Sequence, residues 1–201
     1  MAPSGSERLL AESTLVVRQK TKLFELRNEY GIFDAQGRRL GSVAQVRQSL
    51  LTVLTRVAGD LDVALPVTLE VRDAGGAPVL VLRKPWFRMT VWVQRPDGAQ
   101  VGSVVKRVRM GKARFTLWDP TGIEVGEVRA ESWRAKDFAV RGTQGQEVAR
   151  VTKQWGGLAR EVFTDADHYV VRIEPSTMEP VRSLALSAAL AIDLIMKQKD
   201  T

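Results

Sequence analysis

A Ser-His-Asp type of hydrolytic centre would have to be built on His168, the one histidine among the 201 residues. No G-x-S-x-G elbow supplies a nucleophile for it. Asp165 and Asp167 stand two apart just before that histidine, and a carboxylate pair can exchange protons with a substrate only inside a cleft. The sequence reveals no such cleft, so the expected role of the pair is to close a turn. "RMGKAR" contains Gly-Lys but lacks the earlier glycine and the following Ser or Thr of a phosphate loop. H-E-x-x-H and a dinucleotide fingerprint are also missing. With no cysteine in the chain, disulfides, thiolate metal sites, a Cys nucleophile and palmitoyl anchoring are excluded. No cofactor is expected, and no enzyme activity.

What remains is charge and tryptophan. Thirty Lys and Arg against 23 Asp and Glu give a net charge of +7, a balance that suits polyanionic partners and equally suits plain solubility. The cations gather in four stretches, "LRKPWFRM", "VKRVRMGKARF", "ESWRAKDF" and "TKQWGGLAREVF". These hold Lys84, Arg88, Lys106, Arg107, Arg109, Lys112, Arg114, Arg134, Lys136, Lys153 and Arg160, together with Trp86, Trp133 and Trp155. Indoles settle at headgroup depth, and a Lys or Arg near an anionic bilayer gains ~1 kcal/mol. The partner expected of this set is an anionic phospholipid surface. Nucleic acid stacked on the tryptophans, or an acidic protein, is the alternative. A third possibility is that the tryptophans fold inward while the charges are ordinary solvated loops. Arg18, Lys20 and Lys22 alternate in "VVRQKTK" and would add a basic stripe to one strand face.

The elements that must position these residues follow from a fivefold repeat. "YGIFDAQGRRLGSV", "LEVRDAGGAPVLVL", "VWVQRPDGAQVGSV", "FTLWDPTGIEVGEV" and "FAVRGTQGQEVARV" align on Gly37, Gly76, Gly98, Gly122 and Gly145. Apolar residues stand seven and five before each glycine and six after it, two apart on either side of a short turn, as in a β-hairpin. Asp34, Asp73 and Asp119 precede their glycines by three, as in a type I turn followed by a residue of positive φ. Gly41, Gly102, Gly126 and Ala149 share the inner face, where a glycine implies a bend or the close approach of another backbone. They are expected to make room for something bulky inside a curled sheet.

"SLALSAALAIDLIMKQ", residues 183–198, suits that role. It is a helix-forming run, apolar all the way round, and its 13 apolar-spanning residues from 184 to 196 fall short of the ~20 needed to cross a bilayer. The expectation is a closed β-barrel threaded by its own C-terminal helix; a short or re-entrant membrane segment is the alternative. Asp193 either finds a partner in the barrel wall or pairs with Lys197. Residues 46–65 break the repeat with helical spacing at Leu50, Val53, Leu54 and Val57, predicting one extra helix near 46–58. Residues 1–12 are expected to be a short flexible tail and 13–199 a single domain. Without an apolar leader in "MAPSGSERLL", and with Ala2 where myristoylation needs glycine, a cytoplasmic location is expected.

From about residue 14 to residue 198 the chain resembles a known family. "VARVTKQWGGLAREVFTDADHYVVRIEP" followed by "VRSLALSAALAIDLIMKQ" is similar to the C-terminal half of the phospholipid scramblases. "RQKTKLFELRNEYGIFDAQGRRLG" is similar to the same family and its LURP-one-related cousins. The match in order and spacing is most specific at residues 153–155, 160–163 and 165–167. This resemblance implies a mainly β, Tubby-like closed antiparallel barrel of about twelve strands around a buried C-terminal hydrophobic helix. It also implies movement of phospholipids between leaflets, and a place at the inner face of the plasma membrane. Calcium is implied as a regulator, with Asp165 and Asp167 as candidate ligands. The family's calcium segment, however, carries an acid at its twelfth position, where this chain has Ser176. "HYVVRIE" reads as a strand where a calcium loop would need a sharp turn.

Overall fold

The computed structural model describes residues 4–19, 29–46, 66–86, 88–109, 112–130, 137–154 and 168–196. Twelve strands run antiparallel and close on themselves: β1 (Thr14–Gln19), β2 (Glu29–Phe33), β3 (Arg39–Gln45), β4 (Val67–Asp73), β5 (Pro78–Lys84), β6 (Thr90–Gln94), β7 (Gln100–Arg109), β8 (Lys112–Trp118), β9 (Glu124–Ala130), β10 (Asp137–Gly142), β11 (Glu147–Gln154) and β12 (His168–Ile173). Each strand pairs with its sequence neighbours, and β1 pairs with β12 to seal the barrel. A meander of this kind leaves no open edge.

The repeat positions are the core. Tyr30, Leu69, Val91, Phe115 and Phe138 are buried, as are Ile32, Val71, Val93, Leu117 and Val140, and Val43, Leu82, Val104, Val128 and Val151. Burying each such side chain contributes about 1.5–3 kcal/mol, so the alternation fixes which face of every strand points inward. The turns form as their residues require. The anchor glycines have φ between 79° and 90°, and the amide of Gly37 donates to the carbonyl of Asp34 at 3.1 Å, closing a type I turn. The aspartates brace these turns from within. Oδ1 of Asp34 accepts from the amides of Gln36 and Arg38 (2.9 and 2.8 Å), and Oδ1 of Asp73 from those of Gly75 and Ala77 (both 2.9 Å).

Inside the barrel lies α2 (Val181–Met196), with residues 183–192 buried on every side. Its 16 residues extend ~24 Å at ~1.5 Å per residue, matching the length of the surrounding strands. The helix enters from the turn-bearing rim, since β12 ends there, and brings its C-terminus to the opposite mouth. At its start the Glu179 carboxylate accepts from the Ser183 amide (3.2 Å) and hydroxyl (2.8 Å). The Ser187 hydroxyl donates back to the Ser183 carbonyl at 2.8 Å, so these buried hydroxyls are satisfied.

One expectation is corrected. Residues 5–11 of the expected flexible tail form a helix, α1 (Gly5–Ala11), with Leu9 fully buried in the barrel core. A capping box starts it: the Glu7 amide donates to Ser4 Oγ at 3.2 Å and the Ser4 amide to Glu7 Oε2 at 2.7 Å. Arg182, in the first turn of α2, donates to the carbonyls of Leu10, Ala11 and Glu12, tying the end of α1 to the threaded helix. The inner-wall glycines stand, as expected, where another backbone approaches closely. A Cβ on Gly41 would meet the Arg72 carbonyl oxygen at 2.2 Å, and one on Gly126 the Arg141 oxygen at 2.6 Å. Each stands beside a register shift of its hairpin, where the neighbouring strand's backbone crowds it. The expected bulk inside the barrel is met at two of the three: a Cβ on Gly41 would lie 2.7 Å from Leu9 Cδ1 of α1, and one on Gly102 3.2 Å from Leu184 Cδ1 of α2. The helix predicted near 46–58 lies outside the described residues, as do Lys20, Lys22 and Lys197; so does the side chain of Asp193.

Candidate functional site

Because every hairpin turn with an anchor glycine falls at one rim, the other connections of the meander converge at the opposite rim. There β5 meets β6, β7 meets β8, β9 meets β10 and β11 meets β12, and these are the four basic stretches. The first two are largely described. Between β5 and β6, Trp86 is 51% exposed and Met89 43% exposed, with exposed Arg88 between them. Arg109 and Lys112 are paired in register at the end of the β7–β8 hairpin. Two residue pairs further in, Arg107 faces Arg114, which in turn faces Arg129 of β9. Three arginines thus lie in one row on the outer wall. Glu127 takes an ion pair from Arg129 and, at 3.8 Å, from Arg114. One carboxylate among three guanidiniums leaves this part of the wall positive, and like charges opposite one another repel.

Strand parity takes three expected contacts off the outer surface. Lys84 is 2% exposed and Lys106 9%, since they follow the inward-facing Leu82 and Val104 by two residues. Lys153 follows inward-facing Val151 in the same way and is half-buried, with its ammonium 5.8 Å from the Tyr169 ring centroid. All three lysines therefore sit on the inward face of their strands. Lys84 and Lys106 in particular are too enclosed to meet a headgroup. Trp133, Arg134, Lys136, Trp155, Arg160, Asp165 and Asp167 lie outside the described residues.

The opposite rim has another character. Its aspartates are committed to turn closure. Asp119 is held below the usual carboxylate range by the Ile123 amide, the Thr121 hydroxyl and the Thr121 amide, all donating to Oδ1. For Asp34, burial pushes the pKa upward but is outweighed by the Arg38 amide and guanidinium, so its carboxyl also sits low. On the barrel side, Arg150 is engaged by Glu147 at 2.8 Å and Asp137 at 2.7 Å, which raises its pKa and occupies its guanidinium. Among the described residues no group of three or more Asp, Glu or His could hold a metal ion.

Sequence reasoning missed Arg129 and Met89. Arg129 becomes part of the basic row only through the β8–β9 register. Met89, inside the quoted stretch "LRKPWFRM", signalled only by its position beside Arg88.

A closed twelve-stranded antiparallel barrel filled by its own C-terminal helix is the Tubby-like architecture. A solved protein of Arabidopsis thaliana shares this fold, with a TM-score of 0.55 at 16% identity over 94% of each chain. The family model described as "Scramblase" matches residues 1–197, and the chain belongs to that family. It is 24% identical to phospholipid scramblase 1 of Rattus norvegicus, over 98% of this chain and 63% of that protein. It is 28% identical to a phospholipid scramblase family protein of Schizosaccharomyces pombe, over 84% of this chain and 48% of that protein. "Altered inheritance rate of mitochondria protein 25" of Saccharomyces cerevisiae is 23% identical over 83% of this chain and 60% of its own length. The chain therefore spans roughly half to two thirds of these relatives.

Proposed function

We propose that this chain binds anionic phospholipid headgroups at a membrane surface through the rim that carries Trp86, Arg88, Arg107, Arg109, Lys112 and Arg114. The observation that carries the reading is an indole and a thioether, Trp86 and Met89, held exposed around Arg88 on a rim where further cations converge. Exposed large apolar groups beside cations suit the boundary between headgroups and acyl chains better than they suit water. The relatives named as phospholipid scramblases support lipid as the partner, in preference to nucleic acid or an acidic protein. Their name also carries lipid translocation. Here α2 fills the lumen, and among the described residues no helix is long and apolar enough to cross a membrane. The activity proposed is therefore headgroup binding, with the barrel peripheral on the anionic inner leaflet of the plasma membrane.

Flotation with vesicles of neutral and of anionic composition tests this. Each rim cation contributes about 1 kcal/mol near an anionic surface. A variant carrying Arg88→Glu, Arg109→Glu and Lys112→Glu, which loses three such contributions and adds repulsion, should thus bind anionic vesicles more weakly by at least about 100-fold. Its thermal unfolding should match the parent. Equal flotation on neutral and anionic vesicles, or an unaffected variant, would refute the rim reading.

A further inference from the structure

The outer wall holds a cleft that shares only Arg107 with the docking rim. Register places Trp92 of β6, Ser103 of β7 and Trp118 of β8 side by side in a row across three strands. Small Ser103 between two indoles leaves a hollow of about 430 Å³, lined also by Thr90 and Val105. Neighbouring strands lie ~4.8 Å apart, so the two indole-bearing backbones are roughly 10 Å apart, room for one small group between ring faces. Trp92 is 46% exposed, and Arg83, its partner on β5, is not among the residues lining the cleft.

The two ends of the cleft have opposite charge. At the end nearer the basic rim is Arg107, whose guanidinium lies 5.8 Å from the centroid of Trp118, so this aromatic surface already receives a cation. At the end nearer the anchor turns is Asp119. Its three hydrogen-bond donors converge on one oxygen, Oδ1, and hold the carboxyl ionised. A simple anion would meet Arg107 but would be repelled by Asp119. A plain hydrocarbon would leave both charges without a purpose. A phosphodiester joined to a methylated ammonium satisfies all four groups: phosphate on the guanidinium fork, ammonium on the indole faces beside the carboxylate. The order also fits a bilayer docked at the rim. In a choline lipid the phosphate lies nearer the membrane and the ammonium farther out, as Arg107 lies nearer the rim than Asp119 does.

We propose that this cleft is a binding site for a phosphocholine group, presented as the headgroup of a choline lipid in the membrane on which the rim docks. As a lipid site it rests on the rim reading; as a phosphocholine site it can be tested without a membrane. The full-length chain is titrated with soluble phosphocholine, and with inorganic phosphate, tetramethylammonium and adenosine monophosphate as comparisons, while indole N–H resonances are followed by NMR. Phosphocholine should move the Trp92 and Trp118 signals and bind at least tenfold more tightly than either half-ligand. Asp119→Asn keeps the Oδ1 acceptor that closes the turn. It should weaken phosphocholine at least fivefold while phosphate, relieved of the repulsion, binds no more weakly than before, whereas Arg107→Gln should weaken both. Unmoved Trp92 and Trp118 signals, indifference to Asp119→Asn, or tighter binding of the nucleotide would each overturn the assignment.

Vesicles then identify the source. Replacing choline lipid by ethanolamine lipid at constant anionic content should lower binding about threefold for the parent and not for Trp92→Ala. Equal binding of the parent to both vesicles would overturn the lipid source. The rim variant should lose vesicle binding while keeping the phosphocholine shifts, so failure of the rim and failure of the cleft give different results.

Discussion

Gly102 and Gly122 both have positive φ, 147° and 83°, yet they do different work. A Cβ at Gly122 would meet nothing within 4 Å, so Gly122→Ala faces only the left-handed backbone penalty, about 1–2 kcal/mol. At Gly102 the same atom would lie 2.1 Å from the Trp118 carbonyl oxygen and 3.2 Å from Leu184 Cδ1. Neither the strand backbone nor the buried helix can yield cheaply. Gly102→Ala should therefore add an overpacking cost of about 1–3 kcal/mol to the backbone strain. Urea unfolding of the two variants separates these effects. Gly102→Ala is expected to be the less stable by more than about 1 kcal/mol, and equal midpoints would mean that the carbonyl contact is relaxed at little cost.

At the scale of elements, the threaded helix is the central support of the barrel. Leu184 is fully buried while Leu194, ten residues on, is only partly so. Leu184→Ala should cost about 2–5 kcal/mol and Leu194→Ala clearly less, measured by the shift in thermal midpoint. Similar losses at both would mean that α2 is not enclosed as described. Such elements were legible in the sequence because their signals are local: alternation by two, an Asp and a Gly at fixed offsets, an apolar run without a polar side. The capping box of Ser4 and Glu7 ahead of Leu9 was equally local and marks α1, although a short polar N-terminus invites reading as a tail. The inward turn of Lys84, Lys106 and Lys153 was also written in the alternation, two residues past Leu82, Val104 and Val151, but hidden by the expectation that lysines are solvated. The cleft was not legible. Trp92, Ser103 and Trp118 become neighbours only through the β6–β7 and β7–β8 pairing registers, the first of them shifted at a bulge, and no single segment encodes both.

The whole molecule has two unlike ends, and only the basic one should respond to the ionic medium. Raising NaCl from about 0.1 M to about 1 M shortens the screening length from ~10 Å to ~3 Å, so vesicle binding through exposed cations should weaken steeply. Calcium should act differently from the family's implied regulator. A twelve-residue calcium segment starting at Asp165 would have its fourth to ninth positions in β12 (His168–Ile173). There Tyr169 and Val171 are buried and strand alternation sends successive side chains to opposite faces. Calcium instead takes 6–8 oxygens gathered around a sharp turn. With magnesium as the control for cations bridging anionic lipids, calcium should produce no additional vesicle binding and no rise in the thermal midpoint of the chain. A gain specific to calcium, lost in Asp165→Asn with Asp167→Asn, would show that the segment before β12 gathers a cation after all.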